Sequence, residues 1–203
     1  MKASHQIRLM KRLVDGLAGW VTFYQACGVG RHYTEHLFYE HIEAIVKGRD
    51  WKVKPQAKLV SPAGRVGAPD TIDFVFYRRA QVRTPAGLLF VEVKYLRGDA
   101  PSQDLSYLKQ DIDKLRVTDV QALQAANTFQ ACGDPVKFLL IVWQGEGLNK
   151  TLALKTRTNK AVQTMLKRAN TKDGRGYYKA RQEPHLKRDV YWHVWAIAEP
   201  QWP

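Results

Sequence analysis

Asp73, Glu92 and Lys94 are residues whose types and spacing could do chemistry together. Glu92 and Lys94 interrupt Leu88–Leu96, LLFVEVKYL, a run that is otherwise aliphatic or aromatic and suited to a strand. Alternate side chains of a strand share a face, so Leu88, Phe90, Glu92 and Lys94 line up on one side. Leu89, Val91, Val93 and Tyr95 point to the other. Charges on a core strand cost about several kcal/mol unless they are paired or bind a metal. Asp73 stands in a second apolar run, TIDFVF, sharing a face with Val75 and Tyr77 while Ile72, Phe74 and Phe76 take the opposite one. If the two runs form a hairpin, the polar connection from Arg78 to Gly87 centres between Val82 and Arg83, and Asp73 falls opposite Glu92. Two carboxylates held together in a sheet repel unless a cation lies between them. Oxygen ligands of this kind suit Mg²⁺ or Mn²⁺, which take one or two carboxylates and leave the remaining positions to water and phosphate. The plainer reading is an ion pair between Glu92 and a neighbour.

The elements that must position these residues follow from periodicity. Gln6 to Phe23 carries Ile7, Leu9, Met10, Leu13, Val14 and Leu17 as an amphipathic helix. Thr34 caps a second helix with Leu37, Phe38, His41, Ile42, Ile45 and Val46 at the 3.6-residue period, ending near Lys47-Gly48. Strands are expected at Trp51–Val60, Ile72–Tyr77 and Leu88–Leu96. A helical region then opens at Pro101-Ser102 and runs toward Phe129. VKFLLIVW, Val136–Trp143, has the length and composition of a central strand. A basic helix near Arg157–Ala169, a glycine-rich turn and a strand around Val190–Ala198 close the chain. From Thr34 onward the order is helix, three strands, helix, strand, a mixed α/β pattern with helices covering a sheet.

The 203 residues suffice for one domain with a proper core. The 32 Lys and Arg against 19 Asp and Glu give a net charge of +13. The excess is localised: Glu146 to Arg188 holds twelve Lys/Arg and three Asp/Glu. Such a basic lobe is the electrostatic footprint of a nucleic-acid binder; a solubilising face, or a ribosome- or membrane-surface habit, is the bland alternative. No run approaches the ~18 apolar residues of a membrane helix, and no signal-peptide core forms around Asp15 and Gly16. Two isolated cysteines, Cys27 and Cys132, suit reduced thiols in a cytoplasm.

Asp73, eighteen residues, then Glu92-Val93-Lys94 within apolar strands resembles the PD-(D/E)xK nuclease superfamily. The resemblance covers Thr34 to Trp143 and implies a restriction-endonuclease-like αβββαβ core, a mixed central sheet flanked by helices. An N-terminal helix and a basic C-terminal helix/strand extension would be added to it, all in a single nuclease domain, 1–203, with the core at 34–143 and the extension at 146–203. It implies that Asp73 and Glu92 hold Mg²⁺ (or Mn²⁺), and that Lys94 steadies the phosphate and its attacking water. The literal Pro69-Asp70 lies opposite Tyr95 under the same register, which makes Asp70 an auxiliary or turn residue. Members of the superfamily add a helix glutamate, here Glu35, Glu40 or Glu43. Glu35 lies about 70° from the centre of the apolar stripe, the other two about 150°. Glu35 is therefore the third ligand candidate, or else a first-turn acid that suits the helix dipole. Gln103 and Tyr107 resemble the auxiliary Q-x-x-x-Y element of the exonuclease branch, whereas the acids of DIDKL, Asp111–Leu115, are expected to face solvent.

The implied activity is a metal-dependent DNA endonuclease, with RNA or branched DNA as the alternative substrate. A nuclease-like module that only binds is the alternative of a different class. Lys167, Arg168, Lys172, Arg175, Lys179 and Arg181 would grip the nucleic-acid backbone, and GRGYYKAR, Gly174–Arg181, reads as a stacking loop or a surface turn. No membrane partner is expected; a homodimer or a partner protein stays open. His32, His36 and Glu40 lack the further His or Cys that would complete a zinc site. GEGLNKT lacks the glycines of a phosphate loop.

Overall fold

The computed structural model describes residues 5–27, 34–59, 71–80, 86–97, 102–127, 134–145, 164–165, 168, 177–181 and 191–199. Helix α1, His5–Ala26, precedes a 3₁₀ turn at Glu35–Phe38 that runs straight into α2, Tyr39–Lys47. Three strands follow, β1 (Lys52–Lys58), β2 (Thr71–Arg78) and β3 (Gly87–Arg97). Helices α3 (Ser102–Val117) and α4 (Val120–Ala126) lead to β4 (Pro135–Gly145), and β5 (Tyr177–Arg181) and β6 (Tyr191–Ala198) complete the sheet. The sheet order is β1-β2-β3-β4-β6-β5, with β3 and β4 parallel and every other pair antiparallel. The fold is α/β with a mixed sheet, and from α2 the order is helix, three strands, two helices, strand. Among the described residues, no helix is long and apolar enough to cross a membrane.

Both faces of the sheet are covered, which explains why its central strands are apolar without alternation. Phe74, Phe76, Leu89, Val91, Val93, Phe138, Leu140 and Val142 form one core with Leu13, Leu17, Phe38 and Ile42 from the α1/α2 side. Leu88, Phe90, Leu139 and Ile141 form the other with Leu108, Ile112, Leu115 and Leu123 from α3 and α4. The β2–β3 hairpin has the register that a centred connection predicts, with Phe74 opposite Val91 and Tyr77 opposite Leu88. Gly87 opens β3 because the Trp51 ring lies against it: a Cβ there would come within 2.4 Å of Trp51 Cη2. The Arg78 guanidinium lies over the same ring, 4.8 Å from its centroid.

Three expectations needed correction. Ile72 does not side with Phe74 and Phe76 but joins Ala57 and Val75 in the α3-side core. The alternation switches at Asp73 and the residue across from it, Gln56, whose left-handed backbone (φ 47°) breaks the regular pleat of edge strand β1. The helix expected to run toward Phe129 divides instead, because Asp119 accepts a bond from the Gln121 amide and starts α4 as its N-cap. Tyr177–Arg181 of the GRGYYKAR segment is an edge strand rather than part of a loop. Of the basic helix expected near Arg157–Ala169, Thr164, Met165 and Arg168 are described, and they are helical.

Edge strand β1 ends against a side chain that imitates a neighbouring strand. Asn127 accepts a bond from the Lys58 amide (3.1 Å) and donates to the Lys58 carbonyl (2.8 Å) and to the Leu123 carbonyl (2.8 Å). One buried carboxamide thus closes a sheet edge and ties α4 to it. Asn127→Ala leaves these backbone groups without their partner and is expected to lower unfolding free energy by about 1–3 kcal/mol. Urea denaturation measures it; a loss within the scatter of a surface substitution would show that water replaces the amide without cost.

Candidate active site

Strand β3 is paired with β4 from Leu88 to Arg97, but its ladder with β2 ends at Val91. Beyond that point, the amides of β3 that point toward β2 have no strand to meet, and two carboxylates take them. Asp73 Oδ2 accepts from the Val93 amide at 2.8 Å. The Glu35 carboxylate accepts from the Tyr95 amide. The opening between two strands therefore gathers acids for a backbone reason.

Asp73 is held from three sides. Its Oδ1 accepts from the Tyr39 hydroxyl (2.6 Å) and from Gln56 Nε2 (3.2 Å), and Gln56 Oε1 in turn accepts from the Thr71 hydroxyl (3.0 Å). The left-handed turn of β1 is what brings Gln56 there. Burial and the Asp73 charge raise the Tyr39 pKa, so this hydroxyl stays a donor. Glu92 follows Val91 on the α3 side and is buried, 2 % exposed. Burial, then the charge of Asp73, raise its pKa well above the ordinary carboxylate range, against the pull of Lys114.

Helix α3 answers the strand with opposite charges. Lys114 Nζ lies 2.8 Å from Glu92 Oε1 and donates to the Thr71 carbonyl at 2.9 Å. Lys94 Nζ lies 3.1 Å from Asp111 Oδ2 and 3.6 Å from Glu35 Oε2. Asp111 also reaches Lys114, at 3.8 Å. A Glu–Lys pair two apart on β3 thus faces an Asp–Lys pair three apart on α3, each acid against the other element's lysine. Burial alone would lower the pKa of both lysines, but Asp111 and Glu35 raise that of Lys94, and Glu92 and Asp111 that of Lys114. Both amines are therefore cations. Burial raises the pKa of Asp111 and of Glu35, with the lysines opposing.

The expected site residues Asp73, Glu92, Lys94 and Glu35 are thus brought together. Glu35 sits in a 3₁₀ turn, and Thr34 stands at its N-cap without a side-chain capping bond. Glu40 is exposed and Glu43 pairs with Lys47 at 2.6 Å, so neither enters the cluster. Asp111 corrects the expectation for DIDKL: it faces the site while Asp113 faces outward to Lys109. Asp111 and Lys114 were legible only as a helix's ordinary polar positions. The three-residue spacing that puts both on the Ile112–Leu115 side was the available signal. Tyr107 is exposed, and Gln103 lies in α3. Asp70, Lys167, Lys172 and Arg175 lie outside the described residues; Arg168 is exposed, and Lys179 and Arg181 lie on β5.

Four carboxylates against two ammonium groups leave the cluster formally at −2. Among the described residues no three His, Cys, Asp or Glu side chains form a ready-made metal cage. Asp73 and Glu92 on adjacent strands offer two carboxylates, the number Mg²⁺ takes when water and phosphate supply the rest. The donor set and the uncompensated charge fit such an ion. Compared with models of protein families, with curated proteins and with solved structures, the chain matches none.

The Glu92 shift has a sign that can be read in solution. The folded protein retains a proton there at pH values where the unfolded chain has released it. That contribution to stability is complete below the ordinary carboxylate range and is lost as pH rises through the raised folded value. With chelator present, the unfolding free energy of the parent should therefore fall from pH 5 to pH 8 relative to that of Glu92→Gln. The expected divergence exceeds the ~0.5 kcal/mol of an ordinary surface change. Parallel curves would mean that Lys114 fully compensates the buried charge.

Proposed function

We propose that this protein is a metal-dependent nuclease with a restriction-endonuclease-like core of the PD-(D/E)xK type, most simply a DNA endonuclease. The observation that carries the reading is the meeting of Asp73, Glu92 and Lys94 where β2 and β3 part, with Glu35 on the same spot. In support, Glu92 and Lys94 share one face of β3, and the Lys94 and Glu35 side chains keep part of their surface exposed. The basic lobe supplies attraction for a polyanion.

Under this reading, Asp73 and Glu92 hold a divalent ion, with Glu35 as the third candidate ligand. Such an ion supplies charge neutralisation at a phosphoryl oxygen and acidifies water near neutral pH. Tyr39 and Gln56 fix the Asp73 carboxylate from below. Lys94, kept cationic and oriented by Asp111 and Glu35, presents positive charge to the phosphate and its attacking water. Lys94 is thus better suited to stabilising charge than to taking a proton.

A binding module without catalysis draws on one observation: each oxygen of Asp73 already accepts a bond from the protein. Incubating plasmid DNA with the protein, with Mg²⁺ present or chelated, separates the two readings. Parallel incubations with RNA, single strands and branched DNA separate the enzymatic ones. In single-turnover cleavage, Lys94→Ala should lose on the order of 10²–10⁴-fold while Mn²⁺ binding is kept. Glu92→Ala should lose Mn²⁺ binding and cleavage together. Cleavage by Lys94→Ala at the parental rate would reduce the motif to an ion-pair network.

DNA affinity should fall steeply with salt. For about five phosphates neutralised, log K should fall against log salt with a slope of roughly −4 to −5. Replacing Lys167, Arg168, Lys172 and Arg175 by Gln should flatten that slope for unrelated sequences alike. A slope near zero in the parent would remove the basic lobe as the grip.

A further inference from the structure

Glu92 is among the most deeply buried charges described, and the cation beside it comes from outside the strand motif. Lys114 Nζ meets Glu92 Oε1 at 2.8 Å, with the Glu92 side chain 3 % exposed and that of Lys114 22 %. The ammonium is not committed to Glu92 alone. It also donates to the Thr71 carbonyl at 2.9 Å and lies 3.8 Å from Asp111 Oδ1, one helical turn back on α3. Asp111 shares its other oxygen with Lys94 at 3.1 Å. Lys114 thus has a second carboxylate and a carbonyl within reach, both outside the Asp73–Glu92 pair.

We propose that Lys114 is an internal counter-ion that competes with the divalent cation for Glu92, and that Asp111 retains its ammonium when the cation takes that carboxylate. This rests on the metal-dependent reading given above, and it assigns to α3 a task that the strand motif does not contain. The geometry is that of a substitution. A positive charge touches the oxygen that a divalent ion needs, on a flexible four-carbon stem, with an alternative acid waiting at the same helix turn. Without Lys114 the acids would face each other with Lys94 as the cluster's one remaining cation, and folding would have to absorb their repulsion. With it, the site is already neutralised in part and gives up an ion pair on loading. Lys114 is therefore a positioning residue whose removal should tighten cation binding while costing stability in the absence of the cation.

The test is Mn²⁺ binding, followed by electron paramagnetic resonance or calorimetry, on parent, Lys114→Met, Lys114→Gln and Lys109→Met over a pH series. Affinities are compared at the alkaline plateau, where protons no longer compete for Glu92. An adjacent cation moves a carboxylate's proton affinity by about one to three pK units, so both Lys114 variants should bind Mn²⁺ roughly tenfold more tightly than the parent. They should also unfold at lower temperature in chelator and regain most of the difference on adding Mn²⁺, a rescue that a purely structural lysine would not show. Lys109→Met removes an exposed lysine of the same helix, paired with Asp113 at 2.6 Å, and should leave Mn²⁺ affinity as in the parent. Unchanged or weaker binding in both Lys114 variants, with parental binding abolished by Glu92→Gln, overturns the counter-ion role and leaves the metal site standing. No Mn²⁺ binding by the parent or by either Lys114 variant overturns both. Equal tightening in Lys109→Met would reduce the effect to general charge and overturns the inference.

Discussion

Past Val91, strand β3 keeps β4 on one side and loses β2 on the other. Backbone amides buried at such a place must find acceptors, and an unsatisfied one costs as much as a lost hydrogen bond. Asp73 and Glu35 are the acceptors here, and most of what surrounds them follows from that choice. Carboxylates bring negative charge to the end of a buried sheet. The charge requires cations, one from the strand itself and one from α3. The cations in turn need Asp111. A gap in one ladder thus accounts for a chain of five ion-paired groups, Glu35, Lys94, Asp111, Lys114 and Glu92, with the charge of Asp73 felt beside them.

An apolar plug of similar volume would close this gap with less desolvation. Buried ion pairs commonly add nothing to stability relative to hydrophobic replacements, because removing two charges from water costs about as much as their attraction returns. The cluster is therefore poorly explained as a stabilising device. The alternating arrangement, Glu92 with Lys114 and Lys94 with Asp111, sets these four charges in opposite pairs while leaving the assembly negative overall. Tyr39 and Gln56 hold Asp73 from the other face, and the left-handed residue needed to aim Gln56 is itself a small local strain. Burial raises the proton affinities of Glu92, Asp111 and Glu35 at one point of the fold, an arrangement that functional sites and structural ion-pair networks share.

Much of this was legible in the sequence because strand physics is local. The period of two placed Glu92 and Lys94 together, and the length of the Arg78–Gly87 connection set the hairpin register that brings Asp73 to Glu92. The helical period separated Glu35 from Glu40 and Glu43. Asp111 and Lys114 were not found, because a polar residue on an amphipathic helix looks the same whether it meets water or a buried charge. Only the docking of α3 decides. Ile72 was misplaced for a related reason. Alternation holds while the pleat is regular, and nothing in KVKPQAK announces that Gln56 turns left-handed. The break at Asp119 rests on one side-chain bond to the Gln121 amide, and the apolar period of the helical region does not register it.

The parallel pairing of β3 with β4 has a consequence for how the molecule comes into being. Strands β1, β2 and β3 are antiparallel neighbours in chain order, and fewer residues separate each pair than separate β3 from β4. The β3–β4 ladder has to wait for residues 98–134 to fold back, and long-range pairing of that kind is the slower event. Asp73 and Glu92 belong to strands that are neighbours in chain order, whereas Lys114 and Asp111 belong to the crossover that joins β3 to β4. The acids and the lysine that neutralises Glu92 thus depend on contacts of different sequence range. The full charge cluster exists only where the crossover has docked, so its integrity reports on the same long-range pairing that completes the sheet.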